Sequence, residues 1–495
     1  MKYPKILLIF VYLSSMSVYN AQTTWCGTDQ SDSFMKDLRE NKKSFEAIRN
    51  KSRVDRFIPV TFHSVANTNG TSRIKDINIY KALHELNVGF HESEMRFYLK
   101  EINYIDDSSI NENEGNQSIH KDPNSINVFI QSDAGGAAGY YSRVRDAVTM
   151  TKSALNNGNR TLQHELGHFF TLAHTHRGWD ETSGESNSYN PADYGDTIMI
   201  THVTSGQSGR TLIELMDGSN CDLASDGICD TPPDYGFGSS ASCGCCTMIY
   251  DVWDLNGDKV IPMMDNAMSY SADCDKDLFT EGQTIAMFTD YDSNRRDFLR
   301  TNNSVNTYTL LEDLAELISP VDPFVEQYDG VLFDWEDVPN AEGYIVTIEG
   351  DLTANIEVTE SELFVQDLIP NGTYFWFVNP FNKFGAPNDA EEVRIFSTGT
   401  GTTSINEIGS LTDYSISPNP IATGNNTKLF LTSELLMDAT VTIIDINGRK
   451  SLSQNETLEA GINKIVIETS LLTAGIYILQ VETETGKITD KLLIK

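Results

Sequence analysis

Apolar and polar residues follow a mixture of strand and helix periods in the N-terminal part of the chain. Residues 57–65 and 127–131 alternate as strands do, whereas residues 276–300 have the spacing of a helix. Thr280 and, three residues later, Gln283 form a capping-box signature, which predicts the beginning of that helix. The pattern therefore predicts a mixed α/β domain that ends near residue 300.

From residue 320 onward the pattern changes to short β segments. Apolar residues alternate with polar ones over 344–348 and again over 374–378, as in half-buried strands. A run of Gly, Thr and Ser at 399–404 precedes a second β-rich stretch that continues to the C-terminus. A chain of 495 residues is longer than a single hydrophobic core supports. We therefore expect two all-β sandwich domains after the α/β domain.

The first 21 residues have the three parts of a cleaved signal peptide. Lys2 and Lys5 come first, an apolar run from Ile6 to Val18 follows, and Ala21 precedes the expected cut. That run is shorter than the roughly 20 apolar residues that span a bilayer, so a membrane anchor is the weaker interpretation. We expect export, and a mature protein without a transmembrane segment.

Acidic residues outnumber basic ones by 71 to 36, which gives a net charge of −35. Such a charge repels phosphate backbones and favours solubility and cationic ligands. Nucleic acid is therefore excluded as an expected partner, but the charge does not identify a substrate.

Six of the seven cysteines lie between residues 221 and 274, and Cys26 stands alone. In an exported protein such a cluster predicts up to three disulfide bonds, whose pairing the sequence does not define. A second zinc site is the alternative, although the adjacent Cys245 and Cys246 lack the spacing of zinc knuckles.

The candidate chemistry is concentrated in residues 163–176, which read Gln-His-Glu-Leu-Gly-His-Phe-Phe-Thr-Leu-Ala-His-Thr-His. On a helix, His164 and His168 lie on one face and present two imidazoles to one metal, with Glu165 beside them as a general base. A zinc hydrolase needs three protein ligands and an open position for water. His174 is placed to be the third ligand if the helix ends before it.

Alternatives to this site stay open. A downstream glutamate, Glu181 or Glu214, could supply the third ligand in place of His174. The histidines could also lie on a surface helix without chemistry, or hold a structural metal in a secreted binding or adhesion protein. Glu165 argues against a structural site, because a structural metal has no use for a base beside it.

Around this motif the sequence resembles the metzincin metallopeptidases of the pappalysin/cytophagalysin family. The matching segments over residues 57–300 are Ile58-Pro59-Val60 with His63, Ile126-Asn127-Val128, the zinc helix, Asp226-Gly227-Ile228-Cys229-Asp230-Thr231-Pro232, Asn266-Ala267-Met268-Ser269-Tyr270 and Phe279-Thr280 with Gly282-Gln283. The resemblance implies a metzincin-like catalytic domain, with a mixed twisted sheet and a zinc-binding helix, that acts as a zinc-dependent endopeptidase.

The resemblance also implies roles for further residues. Met268 would lie beneath the zinc ligands as an apolar floor, and Tyr270 would stabilise the oxyanion; plain core packing and a structural tyrosine are the alternatives. Cys26 would occupy the open zinc position and keep a zymogen latent, unless it is a free or disulfide-bonded thiol. Asp273 would favour substrates with a basic residue just after the cut.

Calcium is a further expectation from the resemblance. Relatives bind it near the Asp-Thr-Pro segment, which makes Asp230 a candidate ligand. Asp254, Asn256 and Asp258 also place oxygens at alternate positions, as at the start of an EF-hand loop. A hairpin turn at Asn256-Gly257 explains the same residues equally well.

The chain departs from the family at Thr171, where the extended zinc motif has glycine. Glycine allows a sharp turn after the helix, whereas a β-branched residue tolerates a positive φ badly. We therefore expect either a different turn or a strained one, with His176 as the alternative to His174.

The first β stretch resembles a fibronectin type III domain. It contains a Trp-x-x-Val-Pro-x-Ala-x-Gly-Tyr run from Trp335 to Tyr344 and a Tyr-x-Trp-x-Val run from Tyr374 to Val378. Such a sandwich implies a spacer or docking module.

The second β stretch resembles the C-terminal sorting domain of type IX secretion. The matching segments are Ser417-Pro418-Asn419-Pro420, the turn from Ile444 to Arg449, Gly475-Ile476-Tyr477 and the basic end from Lys491 to Lys495. The resemblance implies contact with the secretion machinery and removal of the domain during export. An ordinary adhesive sandwich is the alternative.

The expected organisation is a signal peptide (1–21), a pro-segment (22–56), a catalytic domain (57–300), a linker (301–319), a fibronectin-like domain (320–398), a second linker (399–413) and a sorting domain (414–495). Basic residues at 49, 51, 53 and 56 make the end of the pro-segment easy for a trypsin-like protease to cut. We expect a secreted zinc endopeptidase, made as a zymogen, that acts on proteins or peptides.

Overall fold

The computed structural model describes residues 24–28, 32–49, 54–156, 160–179, 197–201, 208–236, 251–270, 278–301, 304–321, 324–326, 330–366, 368–388, 392–399, 411–445, 449–484 and 486–495. The expected signal peptide, Glu181, Asp273 and four cysteines (Cys243, Cys245, Cys246 and Cys274) lie outside these residues. The chain divides into two compact units, residues 1–78 with 85–305 and residues 79–84 with 306–495. Every described helix is too short or too polar to cross a membrane.

The chain up to residue 300 combines strands with short helices. The strands are β1 Thr24–Cys26, β2 Arg56–Ala66, β3 Met95–Asp106, β4 Ile126–Gln131, β5 Ala137–Ser142, β6 Ala147–Thr151, β7 Thr197–Thr201 and β8 Ser208–Leu212. The α-helices are α1 Asp32–Asn41, α2 Phe45–Arg49, α3 Asp76–Gly89, α4 Ser108–Asn111, α5 Lys152–Asn156, α6 Thr161–Phe169, α7 Glu281–Asp292 and α8 Asp297–Arg300. Short 3-10 turns cover Lys42–Ser44, His91–Ser93, Gln117–His120 and Asn294–Arg296.

A six-stranded mixed sheet of order β1-β5-β6-β4-β2-β3 forms the centre of this unit within the described residues. Strand β2 pairs in parallel with β3 and β4, β4 pairs in parallel with β6, and β5 pairs with β6 in the antiparallel sense. All of β4 and nearly all of β2 are buried, as is typical of inner strands of a parallel sheet. His63 lies in this interior between Asn103 and Asn127, which bond its two ring nitrogens. The expected mixed α/β architecture is thus observed.

The segment expected to be a pro-segment is bound to this unit. Strand β1 pairs in parallel with β5 and forms one edge of the sheet. From α1, the Asp37 carboxylate forms ion pairs with Arg143, at 2.8 Å, and with Arg295. Lys42 reaches the Asp222 carboxylate at 3.2 Å. Main-chain pairing and charge pairing therefore hold residues 24–28 and 32–49, respectively, against this unit.

Helix α7 is shorter than the sequence predicts. The capping box is confirmed, because the Thr280 side chain accepts from the Gln283 backbone and the Gln283 side chain accepts from the Thr280 N–H. The helix ends at Asp292, however, and Ser293 is extended, before a 3-10 turn and α8. Ser and Asn compete with the helix through local hydrogen bonds, which explains the break at Ser293-Asn294.

The second unit is built from short strands. The first group is β9 Leu317–Ser319, β10 Phe324–Glu326, β11 Val331–Trp335, β12 Gly343–Gly350, β13 Ala354–Val358, β14 Glu362–Val365, β15 Thr373–Phe381 and β16 Arg394–Thr398. The second group is β17 Leu411–Ser417, β18 Thr427–Ser433, β19 Met437–Asp445, β20 Lys450–Leu458, β21 Gly461–Ile467, β22 Gly475–Thr483 and β23 Gly486–Ile494.

Each group forms two sheets around one core. The first has sheets β10-β16-β15-β12-β13 and β14-β11-β9, and Trp335 of one sheet packs edge-on against Tyr344 of the other. The second has sheets β17-β18-β21 and β20-β19-β22-β23. The prediction of two β-sandwiches is therefore confirmed. Strand β9 lies within residues 301–319, which were expected to be a linker. It belongs instead to the first sandwich, since Leu317 is buried in that core and β9 pairs with β11.

Helix α6 ends in a Schellman motif centred on Thr171. Thr171 N donates to His168 O and Leu172 N donates to Gly167 O, at 3.0 and 2.9 Å. This motif requires a left-handed residue, and Thr171 has a φ of 71°. The turn that glycine would make is thus retained with a β-branched residue, which costs about 1–3 kcal/mol.

We predict that Thr171→Gly stabilises the folded first unit by about 1 kcal/mol, because the relieved strain exceeds the chain entropy that glycine adds. Calorimetry of the full chain should show the transition of this unit raised by about 2–4 °C. Thr171→Ala is the matched control, since it removes the buried hydroxyl but keeps the strained Cβ, and we expect a smaller gain. A Gly variant no more stable than the Ala variant would show that the turn is not strained.

Candidate metal centre

Helix α6 presents its polar residues to the interior of the first unit. All nine of its residues are buried, including His164, Glu165 and His168. Gly167 has no room for a Cβ, because the sulfur of Met268 lies against it. Met268 is itself fully buried, so the segment 266–270 packs directly on the helix that carries both histidines.

Three imidazole nitrogens converge on one point. The Nε2 atoms of His164 and His174 are 3.1 Å apart, those of His168 and His174 are 3.1 Å apart, and those of His164 and His168 are 3.2 Å apart. His174 reaches this position from the loop beyond the Schellman motif. The structure therefore brings together the three histidines that the sequence singles out.

Backbone carbonyls orient two of these rings. His164 Nδ1 lies 2.8 Å from Ala267 O, and His168 Nδ1 lies 2.7 Å from Leu172 O. A carbonyl only accepts, so each Nδ1 carries the proton and each Nε2 directs a lone pair at the common point. Burial and the neighbouring imidazoles lower the pKa of His168 well below its ordinary value. A cation is the group that such converging lone pairs fit.

Cys26 completes a set of four candidate ligands. Its Sγ lies 3.5 Å from His168 Nε2, and one ligand atom from each of Cys26, His164, His168 and His174 lies within 4.8 Å of all the others. Cys26 is buried and not in a disulfide bond. Burial and the nearby Glu165 carboxylate raise the pKa of the Cys26 thiol, so a thiolate here needs a cation beside it.

Thr28 connects the same segment to Glu165. The Thr28 hydroxyl donates to Glu165 Oε2 at 2.8 Å and accepts from the N–H of Tyr141 in β5 at 2.8 Å. Its own N–H donates to the Cys26 sulfur at 3.3 Å. Glu165 is fully buried, and burial raises its pKa to about 7. No sequence signal points to Thr28, because nothing local links it to a residue 137 positions away.

Tyr270 lies at the edge of this cluster. Its ring centroid is 4.7 Å from that of His174, and its hydroxyl donates to the backbone carbonyl of Cys26 at 3.4 Å. The hydroxyl therefore already contacts a peptide carbonyl next to the candidate ligands. Such a donor has the chemistry needed to stabilise a carbonyl oxygen that becomes negative.

The alternative third ligands occupy other positions. The His176 ring stacks behind His174, with centroids 4.6 Å apart and planes 9° apart. Glu214 lies in a buried acidic group with Asp226 and Asp234, and burial together with their charges raises the pKa of Glu214 to about 10. Of the described candidates, His174 is the one whose nitrogen joins the other two.

The candidate calcium ligands take part in local structure. Asp230 accepts from the Thr280 hydroxyl at 2.8 Å and from Gly282 N at 2.7 Å, so its carboxylate caps α7. Asp254 accepts from the N–H groups of Asn256 and Asp258, and Gly257 has a φ of 83°. The structure thus shows the hairpin turn that the sequence offered as an alternative.

One disulfide bond joins Cys221 and Cys229 within the described residues. It is local, with eight residues of sequence separation. The remaining cysteines of the cluster lie outside the described residues, so a disulfide framework of up to three bonds and a second metal site both stay predictions for them.

Comparison with known proteins identifies the C-terminal module. Residues 415–495 match the family model of the secretion system C-terminal sorting domain. An extracellular metalloprotease of Colletotrichum graminicola is 34% identical over 95 residues, which cover 15% of this chain and 34% of that protein. The chain therefore spans about a third of the length of this curated relative.

Solved structures with fibronectin domains are also similar to parts of the chain. The crystal structure of FN3tt is 18% identical, covers 18% of this chain and 100% of its own, and has a TM-score of 0.15. The FN1–FN3 domains of chicken CNTN1 are 14% identical, cover 37% of this chain and 67% of their own, and have a TM-score of 0.16.

The sorting-domain match confirms the prediction for the last module. A type IX sorting domain implies contact with the secretion machinery. Together with the extracellular relative, it shows that this is a secreted or cell-surface protein that carries a type IX secretion sorting domain at residues 415–495.

Proposed function

We propose that this protein is a secreted zinc-dependent endopeptidase of the metzincin type, related to the pappalysin/cytophagalysin family. The observation that carries the proposal is the convergence of the His164, His168 and His174 Nε2 atoms within 3.1–3.2 Å, next to Glu165 on the same helix. The partial similarity to an extracellular metalloprotease supports the same activity.

The spacing of the donor atoms fits zinc. Zinc–nitrogen bonds of about 2.0–2.1 Å in a tetrahedron place two nitrogens about 3.3 Å apart, and a zinc–sulfur bond of about 2.3 Å places sulfur and nitrogen about 3.6 Å apart. The corresponding distances are 3.1–3.2 Å and 3.5 Å. Imidazole and thiolate are also the ligand types that zinc prefers over the oxygen-seeking cations.

Glu165 is the proposed general base. A bound zinc ion would lower the pKa of a water molecule and polarise the scissile carbonyl. Glu165 accepts the proton of the attacking water and then delivers it to the leaving amine. Tyr270 donates to the carbonyl oxygen of the substrate, as it now does to that of Cys26.

Latency of the precursor follows from the same contacts. Cys26 closes the metal site, and Thr28 holds the carboxylate of Glu165. Cys26 is the last residue of β1 at the sheet edge and Thr28 follows it by two residues, so removal of this one segment frees the fourth metal position and the base together. We propose that residues 22–56 are an inhibitory pro-segment.

Other parts of the proposal rest on the resemblance. A preference for basic residues after the cut would involve Asp273, and calcium would support the fold. The contacts of Asp230 with α7 give that residue a structural role whether or not calcium binds.

A secreted binding or adhesion protein with a structural metal is the second candidate. The observation that favours it is the closed set of four protein ligands, which is typical of structural zinc sites. The two candidates differ in what happens when the segment that carries Cys26 is cut away: an enzyme gains an open metal position and becomes active, whereas a structural site is damaged.

The protein should hydrolyse peptide bonds once the segment that carries Cys26 has been cut away. The full chain, cut by limited trypsin that is then inhibited, should hydrolyse a denatured protein, and a chelator should abolish the hydrolysis because the water is no longer activated. Glu165→Ala should lower the rate by at least about 100-fold, since proton transfer contributes that much. Product peptides sequenced by mass spectrometry would report the residue after each cut.

The controls separate chemistry from folding and from residual trypsin. Glu165→Ala must bind zinc in the same ratio as the parent, and it receives the same trypsin treatment. A parent protein that binds zinc, loses residues 22–56 and cleaves nothing would contradict the peptidase and favour the binding protein.

The hydrogen bond from Thr28 to Glu165 should contribute to latency. Thr28→Val keeps the shape of the side chain but removes the hydroxyl from Glu165, and a hydrogen bond to a charged group contributes about 1.5–3 kcal/mol. We expect Cys26 of the zinc-loaded precursor to be alkylated about 10- to 100-fold faster in this variant. Cys26→Ala should give hydrolysis before any trypsin is added.

Thr28→Ser is the matched control, because it keeps the hydroxyl that bridges Glu165 and Tyr141. It should alkylate at the rate of the parent. Equal rates for Thr28→Val and Thr28→Ser would show that the hydroxyl contributes nothing to latency and that the segment is held by Cys26 and the ion pairs alone.

A further inference from the structure

A buried carboxylate connects the two loops that surround the candidate ligands. Asp234 is only 5% exposed. Its Oδ2 accepts from the Thr175 hydroxyl at 2.8 Å and from the Ser269 hydroxyl at 3.1 Å. Its Oδ1 accepts from Gly236 N at 3.0 Å. One side chain therefore bonds two other segments of the chain as well as its own.

The bonded hydroxyls belong to residues adjacent in sequence to site residues. Thr175 follows His174, and Ser269 lies between Met268 and Tyr270. The two loops also contact each other directly, because Thr175 N donates to Met268 O at 3.2 Å. Asp234 thus adds side-chain bonds to both loops at the point where they meet.

His176 gives Asp234 a further route to the site. The His176 Nδ1 lies 3.8 Å from Asp234 Oδ2. The ring stacks on His174 and also packs on Tyr270, with centroids 4.3 Å apart. Displacement of Asp234 would therefore shift both His174, the third candidate ligand, and Tyr270.

His174 needs such support more than the other two histidines. His164 and His168 are fixed by α6 and by backbone carbonyls, whereas His174 follows the strained turn at Thr171. A ligand on a loop holds its position only if neighbouring groups fix that loop, and partners behind the ligands contribute strongly to metal affinity.

We propose that Asp234 is a positioning residue of the metal centre, which fixes the loop of His174 against the loop of Tyr270. The inference rests on the proposed zinc site. Asp234 is not itself a ligand, because its oxygens are bonded to hydroxyls and a backbone N–H and are not among the four converging donors.

The test is the zinc dissociation constant of the full precursor, measured in competition with a chromophoric chelator at constant calcium. Asp234→Asn has the same shape but replaces an accepting oxygen with a donor. We expect it to bind zinc about 10- to 100-fold more weakly than the parent. With cobalt in place of zinc, the ligand-field absorption should change as well, because the arrangement of the ligands changes.

Asp254→Asn is the matched control. Asp254 is 6% exposed and accepts three N–H groups, from Asn256, Asp258 and Met216, in a hairpin that carries no proposed zinc ligand or catalytic residue. Its variant should be less stable and yet bind zinc like the parent. A general loss of stability is thereby separated from a loss of positioning.

A milder pair of variants covers the case in which Asp234→Asn does not fold. Thr175→Val and Ser269→Ala each remove one donor, and combined they should weaken zinc binding by more than either alone. Parent-like zinc affinity and cobalt spectra in the folded variants would overturn the positioning role. A parent protein that binds no zinc would instead refute the zinc site itself.

Discussion

The candidate metal centre depends on three imidazole lone pairs directed at one buried point. Lone pairs repel one another, so their separation of 3.1–3.2 Å makes physical sense when a cation lies between them. The surrounding residues orient the imidazole rings. Carbonyls of Ala267 and Leu172 fix two of the ring tautomers, and both carbonyls belong to segments that pack on α6. The helix end, the loop of Tyr270 and the metal site are thus one assembly.

The central sheet holds the segment that carries Cys26 at the candidate metal centre. Because β1 occupies the edge beside β5, residues 26–28 enter the site with their backbone already fixed by strand pairing. Ion pairs of Asp37 and Lys42 hold the following residues. Under the proposed function, these contacts keep the Cys26 thiol at the metal as long as the chain is uncut, and a cut after the segment would allow it to leave.

Local sequence patterns predicted the parts of the site that depend on local structure. His164, Glu165 and His168 follow from the helical repeat, and the capping box of α7 was visible as Thr280 with Gln283. The convergence of His174 required the Schellman turn, which a threonine at position 171 makes hard to foresee. The bonds of Thr28 to Glu165 and of Asp234 to Thr175 and Ser269 join distant parts of the chain, and no period in the sequence encodes them. The sequence pattern predicts neither strand β9 nor the break at Ser293. Burial in the sandwich determines the first, and hydrogen bonds of local side chains determine the second.

Under the proposed function, three imidazoles and one thiolate bind a single zinc ion in the precursor. X-ray absorption at the zinc edge of the purified full chain measures this most directly. We expect about three nitrogen neighbours at about 2.0–2.1 Å and one sulfur neighbour at about 2.3 Å. The sulfur contribution should disappear in Cys26→Ala while the nitrogen contribution stays. A shell made only of oxygen neighbours, or several sulfur neighbours around the ion, would contradict it.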